Sequence, residues 1–62
     1  MLAPQNCSPD MAIEIFEASG EWCVRIIENG AERVSSFVME SFALAFAEGQ
    51  RIRLGLDDII RL

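Results

Sequence analysis

The sequence predicts a small α+β domain, a three-stranded antiparallel sheet in β-β-β-α order packed against one C-terminal helix. Three observations predict this class. Between residues 12 and 38, apolar and polar residues alternate in three segments, as strands with one buried face require. Turn signals at Ser19-Gly20 and Asn29-Gly30 separate these segments. From about Met39 the hydrophobic period changes to that of a helix.

The chain is predicted to form one ordered domain over residues 11–62. Residues 1–10 contain both prolines and no periodic pattern, so we expect a disordered N-terminal tail. Met11 is then an alternative start of the protein. A domain of this size buries only about 60% of the surface that its unfolded chain exposes. Because 52% of the residues are hydrophobic, some apolar side chains are expected to face outward and to be covered by oligomerisation.

Three strands are predicted over residues 12–18, 21–28 and 32–38. In each strand, alternate side chains point to the same face of the sheet. One face should therefore be apolar and packed against the helix. Ile13 and Ile15 share one face of the first strand, and Trp22, Val24 and Ile26 share one face of the second.

The register of the second hairpin has two alternatives. A two-residue loop at Asn29-Gly30 places Trp22 opposite Phe37, whereas a three-residue loop with a bulge aligns Val24 with Val34. A slip of one residue exchanges the two faces of the third strand, so the two alternatives bury different residues. The first is favoured because it gathers two large aromatic side chains on one face.

The helix is predicted over residues 40–54. An acidic residue in its first turn and two arginines in its last turn complement the helix dipole. Gly55 fits the left-handed position that follows many helices, and Leu56 fits the hydrophobic contact after it. The alternative ends the helix at Gly49 and makes residues 51–56 a fourth strand, since this segment also alternates.

This helix is apolar around most of its circumference, with no polar residue from Phe42 to Ala47. A helix that covers one face of a sheet needs only one apolar stripe. We therefore expect the second apolar side to meet a partner, most simply a second copy in a homodimer, with a different protein as the alternative. The predicted interface residues are Phe42, Ala45, Phe46, Gly49 and Ile52.

Small residues support a helix–helix contact at this place. Ala45 and Gly49 lie four residues apart and would let another backbone approach closely. A glycine within a helix lowers the stability of the helix by about 1 kcal/mol relative to alanine, so we expect Gly49 to have a compensating role. The alternatives to an interface are that Gly49 fits against the sheet or ends the helix.

The composition offers little catalytic chemistry. Histidine, lysine and tyrosine are absent, which removes the usual general bases and amine nucleophiles. Cys7 and Cys23 form no CxxC pair, and without histidine a zinc ion would lack its usual ligands, so we predict no metal site. We also predict no cofactor and no catalytic residue. Reduced thiols indicate a cytoplasmic protein. The longest apolar run is far shorter than the roughly 18 residues of a membrane span, and we expect no membrane partner.

Nucleic-acid binding is the alternative function. Ten acidic residues against five arginines give a net charge of −5, which repels a phosphate backbone. Arg25 and Arg33 lie on adjacent predicted strands, however, and aromatic side chains nearby could stack on bases. These two arginines are the candidate nucleic-acid contacts on the sheet face.

The stretch from Glu21 to Leu54 also resembles a known layout, a hairpin with an early tryptophan followed by a helix with alanines. The residues that carry the resemblance are Trp22, Val24, Gly30, Phe37, Ala43 and Ala47. This outline is similar to the three-stranded N-terminal DNA-binding domain of phage-type integrases and to small bacterial domains with the same layout. The chain departs from the integrase pattern because it lacks the basic sheet. The resemblance thus implies the fold more than DNA binding.

Overall fold

The computed structural model describes residues 10–62, so the predicted tail lies outside the described residues apart from Asp10. The described part confirms the α+β class, with one sheet and one helix. The elements in chain order are β1 (Met11–Ala18), β2 (Glu21–Glu28), β3 (Ala31–Phe37), α1 (Glu40–Leu54) and β4 (Ile60–Arg61).

The sheet differs from the predicted three-stranded antiparallel sheet in two respects. It has four strands in the order β3-β2-β1-β4, and it is mixed because β4 pairs with β1 in parallel. The helix is also not C-terminal, since the chain continues past Gly55 and returns along β1 to the edge of the sheet. The alternative of a fourth strand over residues 51–56 is wrong, because α1 extends to Leu54.

Both hairpins close with two-residue turns. Ser19 and Gly20 have φ values of 54° and 79°, and Asn29 and Gly30 have 54° and 83°. Two successive positive φ values are those of a type I′ turn, whose twist matches that of the flanking strands. The Asn29-Gly30 turn aligns Trp22 with Phe37, which confirms the favoured register.

The bounds of α1 agree with the prediction. Gly55 adopts φ 72° in the left-handed region after the last turn. Its N–H donates to the Ile52 carbonyl at 3.1 Å, and the Leu56 N–H donates to the Arg51 carbonyl at 3.0 Å. These two bonds form a Schellman motif, which satisfies carbonyls that the helix end would otherwise leave unpaired.

The core lies between α1 and one face of the sheet. Ile13, Ile15 and Val24 are at most 1% exposed, and Ala43 and Ala47 of α1 are completely buried. The two alanines let the helix backbone lie close to the strands. Partly buried side chains surround this centre, namely Trp22, Phe37, Leu44, Phe46, Leu54, Leu56 and Ile59.

Ion pairs connect both ends of α1 to the sheet. Near its C-terminal end, Arg53 Nη2 lies 3.0 Å from Glu28 Oε1 of β2. Near its N-terminal end, Glu40 Oε2 lies 2.7 Å from Arg61 Nη2 of β4. The parallel pairing of β4 with β1 places Arg61 beside Ile15, on the helix side of the sheet.

We expect acid to weaken the fold through the carboxylates that accept hydrogen bonds from arginine. The Arg53 guanidinium holds the pKa of Glu28 below its ordinary 4.5, and Arg51 does the same to the pKa of Glu48. Because the folded-state pKa is lowered, this stabilisation is present above the ordinary pKa and is lost as the pH falls through the folded-state pKa. Urea unfolding from about pH 6 to about pH 3 measures the effect. Glu28→Gln should make the pH dependence shallower, and an unchanged dependence would contradict this cause.

Candidate interaction surface

The outer face of α1 carries a row of solvent-exposed apolar residues. Phe42 and Ile52 are 56% and 65% exposed, and Ala45 and Gly49 between them are also exposed. At 100° per residue these four positions fall within an arc of roughly 80° of the helix circumference. We call Phe42, Ala45, Gly49 and Ile52 the outer stripe. It points away from the sheet, opposite the buried Ala43 and Ala47.

Phe46, the fifth predicted interface residue, lies between the two sides of the helix. Its ring centroid is 5.3 Å from that of Phe37, with the planes tilted by 43°. It is half-buried and packs against the core of the domain. Phe46 therefore contributes to the packing of the domain itself and is only partly exposed beside the outer stripe.

Gly49 has no structural role within the described domain. A Cβ placed on it would meet nothing within 4 Å. The helix continues for five residues beyond it. Both alternatives for this glycine are thus wrong, because it neither fits against the sheet nor ends the helix. The cost of a glycine within a helix is not offset by any contact that the described part of the chain makes at Gly49.

The segment after the helix does not cover the outer stripe. Ile59 packs against the core, and β4 lies at the edge of β1. Before the helix, Val38 and Met39 are 76% and 51% exposed and add apolar surface at its N-terminal end. Sequence reasoning missed these two residues, because a strand pattern that runs into a helix gives no signal for the side chains at the junction.

The opposite face of the sheet is centred on Arg25. The Nη1 of Arg25 lies 2.6 Å from Glu14 Oε1, and the Nε of Arg25 lies 2.9 Å from Glu32 Oε2. The contact with Glu32 is an ion pair that is not aligned as a hydrogen bond. The guanidinium carbon of Arg25 also lies 5.0 Å from the centroid of the Phe16 ring. Two carboxylates therefore neutralise this arginine, which lowers its value as a phosphate contact.

Arg33, the other candidate nucleic-acid contact, lies on the other face of the sheet. Arg25 is paired with Val34, and Arg33 is paired with Ile26, whose side chain is in the core. Side chains of neighbouring residues on a strand alternate between faces. The two arginines therefore do not form one cationic patch.

The described residues contain no obvious site for other chemistry. Among residues 10–62 no group of three or more histidine, cysteine, aspartate and glutamate side chains could hold a metal ion. Cys23 is a buried free thiol whose Sγ lies 3.8 Å from the Ser36 hydroxyl. No helix in this part of the chain is long and apolar enough to cross a bilayer.

Comparisons of the chain with protein-family models, with curated proteins and with solved structures found no match. The resemblance to the DNA-binding domains of phage-type integrases therefore stays a prediction. The outer stripe is one apolar part of the surface that no other residue in the described range 10–62 covers.

Proposed function

We propose that the chain is a non-catalytic interaction module that self-associates through the outer stripe. The observation that carries this proposal is that Phe42 and Ile52 are exposed on one side of a helix whose other side is already buried. Contiguous apolar patches on the surface of a soluble domain are a feature of protein interaction sites, whereas single exposed apolar residues are not. The free thiol of Cys23 fits a reducing compartment such as the cytoplasm.

The size of the helix sets the expected strength of the association. Fifteen residues form a helix about 22 Å long, so one helix pair buries less than the roughly 1,200–2,000 Å² of a standard interface. Burying an Ile or Phe side chain is worth about 1.5–3 kcal/mol, and a two-fold dimer buries each of them twice. Part of this gain is offset by the loss of rotational and translational freedom. We therefore expect a dimer with a micromolar dissociation constant.

Binding of nucleic acid through the sheet is the second candidate, and the geometry supports it less. Arg25 already contacts two glutamates, and Arg33 lies on the opposite face. A salt-sensitive mobility shift of labelled DNA or RNA would favour this candidate, because phosphate contacts release counterions. An absence of binding at low salt would exclude it.

The proposal is tested by comparing two truncations of exposed aliphatic side chains. Ile52→Ala removes a residue of the outer stripe, and Val34→Ala removes a residue that is 53% exposed on β3. Each should change the stability of the monomer by less than about 0.5 kcal/mol, as is usual for surface positions. In light scattering, Ile52→Ala should raise the dimer dissociation constant about ten- to hundredfold, whereas Val34→Ala should not change it. The reverse result would place the interface on the sheet and contradict the proposal.

A further inference from the structure

The outer stripe has the spacing of a coiled-coil seam. Its residues follow one another at intervals of three, four and three, so Phe42 and Gly49 occupy a positions and Ala45 and Ile52 occupy d positions of two heptads. A stripe of this kind fits the equivalent stripe of another helix. It therefore suits a second copy of the same chain better than an unrelated surface.

Opposite charges flank this seam. Glu48 immediately precedes Gly49, at a g position, and Arg53 immediately follows Ile52, at an e position. Their side chains are 51% and 47% exposed. In coiled coils, residues at e and g form the salt bridges between helices that set partner choice and orientation.

We propose that a second copy docks on the outer stripe with the two helices parallel, and that Glu48 of each chain pairs with the partner subunit's Arg53. This inference rests on the proposed self-association and specifies its geometry. The two-fold axis runs along the helices, so the contact forms twice. Ala45 and Gly49 lie in the middle of the seam, where their small size lets the two backbones approach closely.

The charges decide between a parallel and an antiparallel pair. With the two-fold axis along the helices, the Glu48 flank of one chain lies beside the Arg53 flank of the other. A residue at g then faces a residue at e five positions further along, which is the separation of Glu48 and Arg53. In an antiparallel pair the axis is perpendicular to the helices and brings like flanks together, so Glu48 does not meet the partner subunit's Arg53.

The ion pairs that Glu48 and Arg53 make within one chain leave both side chains able to exchange partners. Glu48 pairs with Arg51 one turn along the helix, and Arg53 pairs with Glu28. Both pairs are exposed to solvent, where an ion pair is worth little and exchanges readily. Dimerisation can therefore add a contact across the seam without breaking a buried interaction.

Charge reversal tests this geometry on the full chain. Glu48→Arg and Arg53→Glu should each weaken homodimerisation roughly tenfold at low salt, since both symmetric pairs become repulsive. An equimolar mixture of the two variants should associate as tightly as the wild type, because both pairs are attractive in the parallel heterodimer. The masses are measured by light scattering, and circular dichroism of each variant controls for folding.

The outcomes separate this inference from the proposed function. A wild type that stays monomeric overturns both. A dimeric wild type overturns the parallel geometry alone if neither variant associates more weakly than the wild type, or if the two variants do not recover association on mixing.

A second measurement does not depend on the charges. Ala45→Cys in a Cys7→Ser background should form a disulfide dimer with diamide, because a parallel pair places position 45 beside itself. If only a mixture of Ala45→Cys and Gly49→Cys chains cross-links, the helices are antiparallel and the proposed pairing is overturned.

Discussion

Ala45→Glu is expected to convert the dimer into monomers at every concentration at which the wild type associates. Ala45 lies near the middle of the outer stripe and is exposed in the isolated domain, so the longer side chain should leave the fold intact. In the dimer, by contrast, two carboxylates would be desolvated next to each other. Burying an unpaired charge costs at least about 2 kcal/mol for each copy. The dissociation constant should therefore rise roughly a thousandfold.

Two further variants make this result specific. Gly49→Glu should have a similar effect, because position 49 faces the same seam and a Cβ added there meets nothing within 4 Å in the monomer. Ala18→Glu makes the same substitution at an exposed position at the end of β1 and should leave the dimer intact. Sedimentation or light scattering reports the mass, and urea unfolding reports the stability. If Ala45→Glu stayed dimeric, the helix would not be the interface.

Ile13→Ala is expected to have the largest effect on the stability of the monomer. Ile13 is completely buried at the centre of the core. Truncating a buried isoleucine to alanine costs about 2–5 kcal/mol, because it removes apolar contacts and leaves a cavity. At roughly 0.05–0.15 kcal/mol per residue, the whole domain is stable by only about 3–9 kcal/mol. The variant should therefore be partly or wholly unfolded, as measured by circular dichroism and urea titration.

The matched control for this prediction is Ile52→Ala, which is the same chemical change at a position 65% exposed in the monomer. Measured at a dilution at which the wild type is monomeric, Ile52→Ala should change the free energy of unfolding by less than about 0.5 kcal/mol. Similar losses for both variants would show that the core does not lie between α1 and the sheet, contrary to the structure.

The sequence predicted well those elements whose signals are local. The Asn29-Gly30 dipeptide specifies a turn type, and that turn type sets the register that pairs Trp22 with Phe37. The helix bounds followed from the change of period and from Gly55, whose left-handed conformation closes the Schellman motif. In these cases the backbone preferences of a few residues agree with the global fold.

The elements that were missed depend on contacts between distant parts of the chain. β4 has only two residues, too few for an alternating pattern, and it forms because the chain after Gly55 returns alongside β1. In the candidate site, the sequence indicated an apolar helix but could not tell which side the sheet would cover. Phe46 was included for this reason, although it packs on Phe37. That Arg25 and Arg33 lie on opposite faces of the sheet likewise follows only when the register of β2 and β3 is known.

The solution mass of the full chain, measured by light scattering across a dilution series, tests the central claim most directly. We predict a dimer of the 6.9 kDa chain at high micromolar concentration that dissociates into monomers on dilution, since one short helix pair gives a modest interface. A mass that stayed monomeric at high micromolar concentration would contradict self-association through the outer stripe.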